Sequence, residues 1–221
     1  MFSRRNFLQA GTVTALGCWV GTGTAFAQLP VPAGNAVSFR IMRKGAQIGT
    51  HTLEFTGSGN NLSVAIAVDM AVYLGPIRMF HYKHRATERW QDGAFQSLDA
   101  KTDFDGEPAY CTVRRDGDQL SVDGSKSGKY KAQGNILAAT HWNKAELAGP
   151  MINPENGILL RPKISNVGST NIALASGATV AAQQFNWRGK DALELWYDQR
   201  ADWVALKATT ASGEVLTYQK L

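Results

Sequence analysis

The sequence predicts a mainly β protein: a single long antiparallel sheet, curled into a half-barrel or β-roll, with one short helix as plug or lid. Three observations carry this. Two runs, Leu62 to Tyr73 and Ile77 to Trp90, alternate at period 2 for far longer than an ordinary strand. Gly, Asn and Asp recur at short intervals between the alternating runs, as hairpin turns require. Helical spacing is confined to one stretch, Asn135 to Leu147.

Ile77 to Trp90 organises the rest. Phe80, Tyr82, His84, Ala86, Glu88 and Trp90 share one face, while His81, Lys83, Arg85, Thr87 and Arg89 share the other. At about 3.3 Å per residue the run spans roughly 46 Å, so a sheet containing it must twist and curl around its own contents.

The chain begins with Ser3-Arg4-Arg5-Asn6-Phe7-Leu8, a twin-arginine element, followed by a Gly/Thr/Ala-rich apolar run and Ala25-Phe26-Ala27. This pattern predicts a twin-arginine signal peptide over residues 1–27, cleavage after Ala27 and a periplasmic location. A competing lipoprotein signal at Ala15-Leu16-Gly17-Cys18 is a poorer match, because Ala15 stands where a larger aliphatic is usual. Removal of residues 1–27 leaves 221 − 27 = 194 residues, read as a single β-rich domain over residues 28–221. The apolar run falls short of the ~20 strongly apolar residues of a spanning helix, so no transmembrane segment is expected in the mature protein.

The net charge of +5 falls to +5 − 2 = +3 without Arg4 and Arg5. Arg114, Arg115, Lys126, Lys129 and Lys131 are interleaved with Asp116, Asp118 and Asp123, which describes a solvated hairpin. Nucleic-acid binding needs a concentrated basic face, so none is expected. Cys18 leaves with the signal. Cys111 is then alone, no internal disulfide can form, and its place in Ala109-Tyr110-Cys111-Thr112-Val113 marks a small buried strand residue.

Taken in order, Gln28 to Gly34 is a leader without periodicity. Val37 to Arg43 and Gln47 to Phe55 are strands joined at Lys44-Gly45, and Gly57-Ser58-Gly59-Asn60 turns the chain into Leu62 to Tyr73. Gly75-Pro76 separates the two long strands. The hairpin after Trp90 has two possible registers. A two-residue Asp92-Gly93 turn opposes Trp90 to Phe95 but sets the apolar face against Ser97, Asp99, Lys101 and Asp103. A three-residue loop, Gln91-Asp92-Gly93, instead sets Glu88 against Gln96, Ala86 against Leu98 and His84 against Ala100, and this register is the expectation. Asp105-Gly106, Asp116-Gly117-Asp118 and Ser127-Gly128 punctuate further hairpins. Asp103-Phe104-Asp105-Gly106-Glu107 lacks the spacing of a calcium loop. In Asn135 to Leu147, Asn135 would cap the helix and Gly149-Pro150 end it. Strands then follow over Val180 to Arg188, Ala192 to Asp198, Trp203 to Thr209 and Val215 to Lys220.

Several short pieces follow one another along the chain: Gly45-Ala46-Gln47-Ile48-Gly49, Glu88-x-Trp90-x-Asp92-Gly93, Thr140-His141-Trp142-Asn143 and Trp196-Tyr197-Asp198. Together they resemble an uncharacterised exported bacterial family, domain of unknown function 6134, over nearly all of the mature chain. More distantly, a long curled sheet around a short plug looks like the half-barrels of periplasmic lipoprotein carriers. The resemblance implies fold and compartment; the family supplies no activity to carry over.

His84 and Glu88 stand four residues apart on one strand, roughly 13 Å, too far to form a dyad. As structural residues, Glu88 would bond Gln96 or a loop amide and His84 would be a satisfied interior histidine. As ligand-binding residues, they would mark the polar end of a cavity lined by Tyr82 and Trp90 and closed by His141 and Trp142. His51, His81, His84 and His141 have no paired ligand spacing, so no metal is expected. No G-x-S-x-G elbow, phosphate loop or dinucleotide fingerprint is present, and no catalytic residue or cofactor is assigned. The expectation is a non-catalytic protein binding a hydrophobic, lipid-like or aromatic small molecule in the concave face. The alternatives are a cell-envelope interaction module with a packed core, and a hydrolase or isomerase using Glu88 or His84.

Overall fold

A computed structural model describes residues 28–189 and 192–221. The twin-arginine element and the expected cleavage site lie outside the described residues.

The first eight strands are β1 (Ala36–Arg43), β2 (Ala46–Ser58), β3 (Asn61–Leu74), β4 (Ile77–Gln91), β5 (Ala94–Phe104), β6 (Glu107–Asp116), β7 (Gln119–Gly124) and β8 (Gly128–Gln133). Three two-residue strands follow, β9 (Leu137–Ala138), β10 (Met151–Ile152) and β11 (Leu159–Leu160). The last five are β12 (Lys163–Ala173), β13 (Thr179–Arg188), β14 (Ala192–Asp198), β15 (Trp203–Thr209) and β16 (Val215–Lys220). Thirteen strands form one antiparallel sheet in the order β12-β13-β14-β15-β16-β1-β2-β3-β4-β5-β6-β7-β8. Because β12 and β8 do not pair, this large sheet is not closed into a barrel. The two long runs are real strands of 14 and 15 residues, and on β4 the inward set is Tyr82, His84, Ala86, Glu88 and Trp90.

The turns need left-handed backbone where the sequence supplies small or turn-forming residues: Lys44 and Gly45, Asp92 and Gly93, Asp105 and Gly106 all have positive φ. The expected register after Trp90 is corrected. Asp92-Gly93 is a two-residue turn with Trp90 opposite Phe95, yet a bulge at Gln96 shifts the phase so that Glu88 meets Leu98, Ala86 meets Ala100 and His84 meets Thr102. The bulge reconciles the tight turn with an apolar core, since Phe95 and Leu98 both become buried.

The expected helix over Asn135 to Leu147 is also corrected. That stretch contains β9 and only a 3-10 turn, Lys144–Ala148, capped by Asn143 rather than Asn135. His141 takes φ 69°, which no helix continues through. Residues 134–162 nonetheless fill the sheet's inner side as a plug. They are tied to β4 through Glu88, to β14 through Tyr197, and to the turn between β7 and β8 through Asn156, whose carbonyl accepts from the amides of Lys126 and Ser127. Gly124 permits this approach: a Cβ there would stand 2.3 Å from the Asn156 carbonyl oxygen. The main core joins Phe39, Leu53, Phe55, Val64 and Leu98 of the sheet to Ile136, Trp142, Met151 and Ile152 of the plug. Each such side chain contributes about 1.5–3 kcal/mol of burial.

Candidate functional site

Alternation along β4 aims five side chains at the interior, and the plug decides what each one meets. Glu88 is completely buried. Its Oε2 accepts from the indole Nε1 of Trp90 at 2.8 Å and of Trp142 at 3.0 Å, and its Oε1 accepts from Thr140 Oγ1 at 2.6 Å. Burial pushes the Glu88 carboxyl above its ordinary value, against the lowering effect of these three bonds. Trp90 and Trp142 pack edge to face at 5.4 Å, and Phe55 closes on Trp142 at 5.2 Å.

A second buried carboxylate organises the plug itself. Glu146 Oε2 accepts from the amides of Thr140 at 3.0 Å and His141 at 2.9 Å, while Oε1 meets His141 Nδ1 at 2.7 Å. Tyr197 donates its hydroxyl to the His141 carbonyl at 2.9 Å. Thr140 therefore links both carboxylates, one through its hydroxyl and one through its amide. The arrangement is a latch between plug and sheet, with every acceptor engaged.

The other end of the interior is built differently. His84 is buried with Nδ1 2.8 Å from Thr102 Oγ1, and burial lowers its pKa to about 4. Tyr82 donates its hydroxyl to Glu155 of the plug at 2.6 Å. Around Tyr82 lies a second apolar cluster with Ile41 and Val68, flanked by the half-buried Ile48, Met70, Phe80 and Tyr218. His51 is buried among Phe39, Trp203 and Tyr218, and neither ring nitrogen has a hydrogen-bond partner among the described residues. Burial lowers its pKa to about 3.

The structure thus divides the six expected ligand-binding residues. Glu88, Trp90 and Trp142 are brought together, but as a filled and hydrogen-bonded core. His141 belongs to the plug latch. Tyr82 and His84 stand apart from that core, stacked on each other beside the smaller cluster of Ile41 and Val68. Glu146 is absent from the sequence reading, while Thr140 enters it only within a family motif and His51 only as a histidine without metal-ligand spacing. His51 had a visible signal, since it occupies the apolar phase of its strand with Leu53 and Phe55. Cys111 is fully buried, and burial pushes its thiol up to about 12. Among the described residues no three His, Cys, Asp or Glu side chains are grouped to hold a metal ion. Among them no helix is long and apolar enough to cross a membrane.

A family model described as domain of unknown function (DUF6134) matches residues 39–220. No curated protein matches the chain. A solved structure is similar in fold: a β-barrel-like protein of domain of unknown function DUF1849 from Brucella abortus. It is 10% identical, covers 84% of this chain and 94% of its own, and superposes with a TM-score of 0.58.

Proposed function

Because this chain belongs to the DUF6134 family, whose description carries no activity, we propose a function from its own geometry: non-catalytic binding of an apolar or lipid-like molecule at the Tyr82 end of the open sheet. The protein acts in the periplasm after loss of residues 1–27. The observation that carries the reading is the contrast between the two ends of the interior. At the Glu88 end every inward group is buried and satisfied. At the Tyr82 end Ile48, Met70, Phe80 and Tyr218 remain only half-buried around a small apolar cluster. Half-buried apolar side chains gathered around a small apolar cluster are what an apolar ligand would cover. Sealing of Glu88 and the bond between His84 and Thr102 support a role without turnover, because neither group faces space where a substrate could approach.

Native mass spectrometry of protein purified without detergent tests this. The expected spectrum contains a species heavier by one amphiphile, which organic extraction returns to the apo mass. A spectrum of apo protein alone, unchanged after addition of a fatty acid or lysophospholipid, would refute the reading.

A further inference from the structure

The hairpin between the two longest strands extends past its neighbours. β2 pairs with β3 no farther than Gly49 opposite Met70, and β5 pairs with β4 no farther than Phe104 opposite Tyr82. Beyond those limits, among the described residues, residues 71–80 pair in the sheet with their own hairpin alone, while at its base the His81 carbonyl accepts from the Asp105 amide at 2.9 Å. This two-stranded ribbon exposes apolar side chains: Leu74 is 68% exposed and Ile77 62%, with Tyr73 and Met79 exposed beside them. A lone two-stranded ribbon is marginal in water, and an apolar tip adds to its cost there.

Two carboxylates at the neighbouring turn, Asp103 and Asp105, flank the base of the ribbon and both bond His81 at 3.2 Å, but the tip beyond them carries no acid. Between Asp69 and Glu88 the sequence has no Asp or Glu, but it has Arg78, Lys83 and Arg85. Arg85 is paired with Asp69, whereas Arg78 and Lys83 are in no ion pair among the described residues. Leu74, Ile77 and Met79 at the end of a hairpin, with Tyr73 and Arg78 among them, match the layered chemistry of a bilayer surface. Apolar groups enter the acyl boundary, Tyr sits at headgroup level, and a cation reaches back to lipid phosphate.

We infer that residues 71–81 are a docking ribbon for an anionic lipid bilayer surface, holding the Tyr82 end of the interior against the membrane. This goes beyond binding of a single molecule and is tested separately from it. The test is co-sedimentation of the mature protein with vesicles of phosphatidylcholine alone and with added phosphatidylglycerol. Wild type should bind the anionic vesicles more tightly, with the difference shrinking at high salt. The double variant Leu74→Asp/Ile77→Asp should lose about ten-fold or more in partitioning, and Arg78→Glu should abolish the preference for anionic vesicles. Both should melt as wild type does, since these side chains are exposed.

Wild type that sediments with neither vesicle would overturn the inference, as would a double variant that binds as wild type. A wild-type dimer that Leu74→Asp splits, without vesicle binding, would assign the ribbon to a second copy of the chain. Loss of vesicle binding with the amphiphile mass retained would separate the ribbon's role from the Tyr82 end.

Discussion

Glu88→Ala should unfold at far lower urea than wild type, with a loss of about 4 kcal/mol or more. Three buried donors, the hydroxyl of Thr140 and the indole groups of Trp90 and Trp142, would lose the side-chain acceptor they share. Each unsatisfied buried donor costs about 1–3 kcal/mol, and the removed side chain leaves a cavity beside two indoles. Glu88→Gln should cost much less, about 1–2 kcal/mol. Its amide oxygen can still accept from both indoles, and its NH2 can donate to the Thr140 hydroxyl. The order Ala well below Gln is the signature of a structural latch. Equal losses for the two variants would contradict the hydrogen-bond assignment.

Acid should destabilise the protein steeply well before carboxylates are fully titrated. His51 and His84 are held neutral by burial, with pKa values lowered to about 3 and about 4. In the unfolded chain both titrate near ~6.5. The unfolded state therefore binds more protons between those limits, and stability falls as pH drops from about 6.5 toward 4. Two such groups give a slope of up to ~2.7 kcal/mol per pH unit. Glu88 acts in the opposite sense, because a raised folded pKa makes its contribution decline as pH rises. The net slope over that window is consequently below the two-histidine value.

His51→Leu tests the assignment. It should reduce the acid slope by about one proton's worth, ~1.4 kcal/mol per pH unit. At pH 7 it should stay within about 1 kcal/mol of wild type, because the ring nitrogens it removes have no partners among the described residues. An unchanged slope, read from urea midpoints between pH 4.5 and 7, would contradict neutral burial of His51.

Much of the sheet was legible because strand alternation and turn chemistry are local. The long strands appeared as unbroken alternation, and Asp92-Gly93 and Asp105-Gly106 marked positions where left-handed backbone is needed. The register beyond Trp90 was misread because two local signals compete. Phe95 lies in one phase and Leu98 and Ala100 in the other, so either a longer turn or a bulge restores a common core. The bulge prevails because it buries Phe95 as well as Leu98.

The plug was legible as an interior segment and illegible as to its form. Ile136, Ala139, Trp142 or Asn143, and Leu147 have helical spacing, but the tertiary demand is to carry Thr140 and Trp142 to Glu88 while crossing the interior. Extended backbone with a left-handed His141 meets that demand. Of the candidate site, Glu88 and Trp90 could be placed on one strand face from the sequence, but Glu88 bonds Trp90, Trp142 and Thr140 rather than the expected Gln96 or loop amide. Thr140 and Glu146 could not be placed, since their partners lie across the fold.

The most direct measurement of where an apolar molecule binds is methyl NMR of protein labelled at methionine, titrated with a lysophospholipid. Met70 stands beside Tyr82, while Met151 is buried in the plug and Met42 lies on β1. A saturable shift of the Met70 signal, with Met151 and Met42 unmoved, is the predicted result. A fixed Met70 at saturating lysophospholipid, or a shift centred on Met151, would contradict binding at the Tyr82 end.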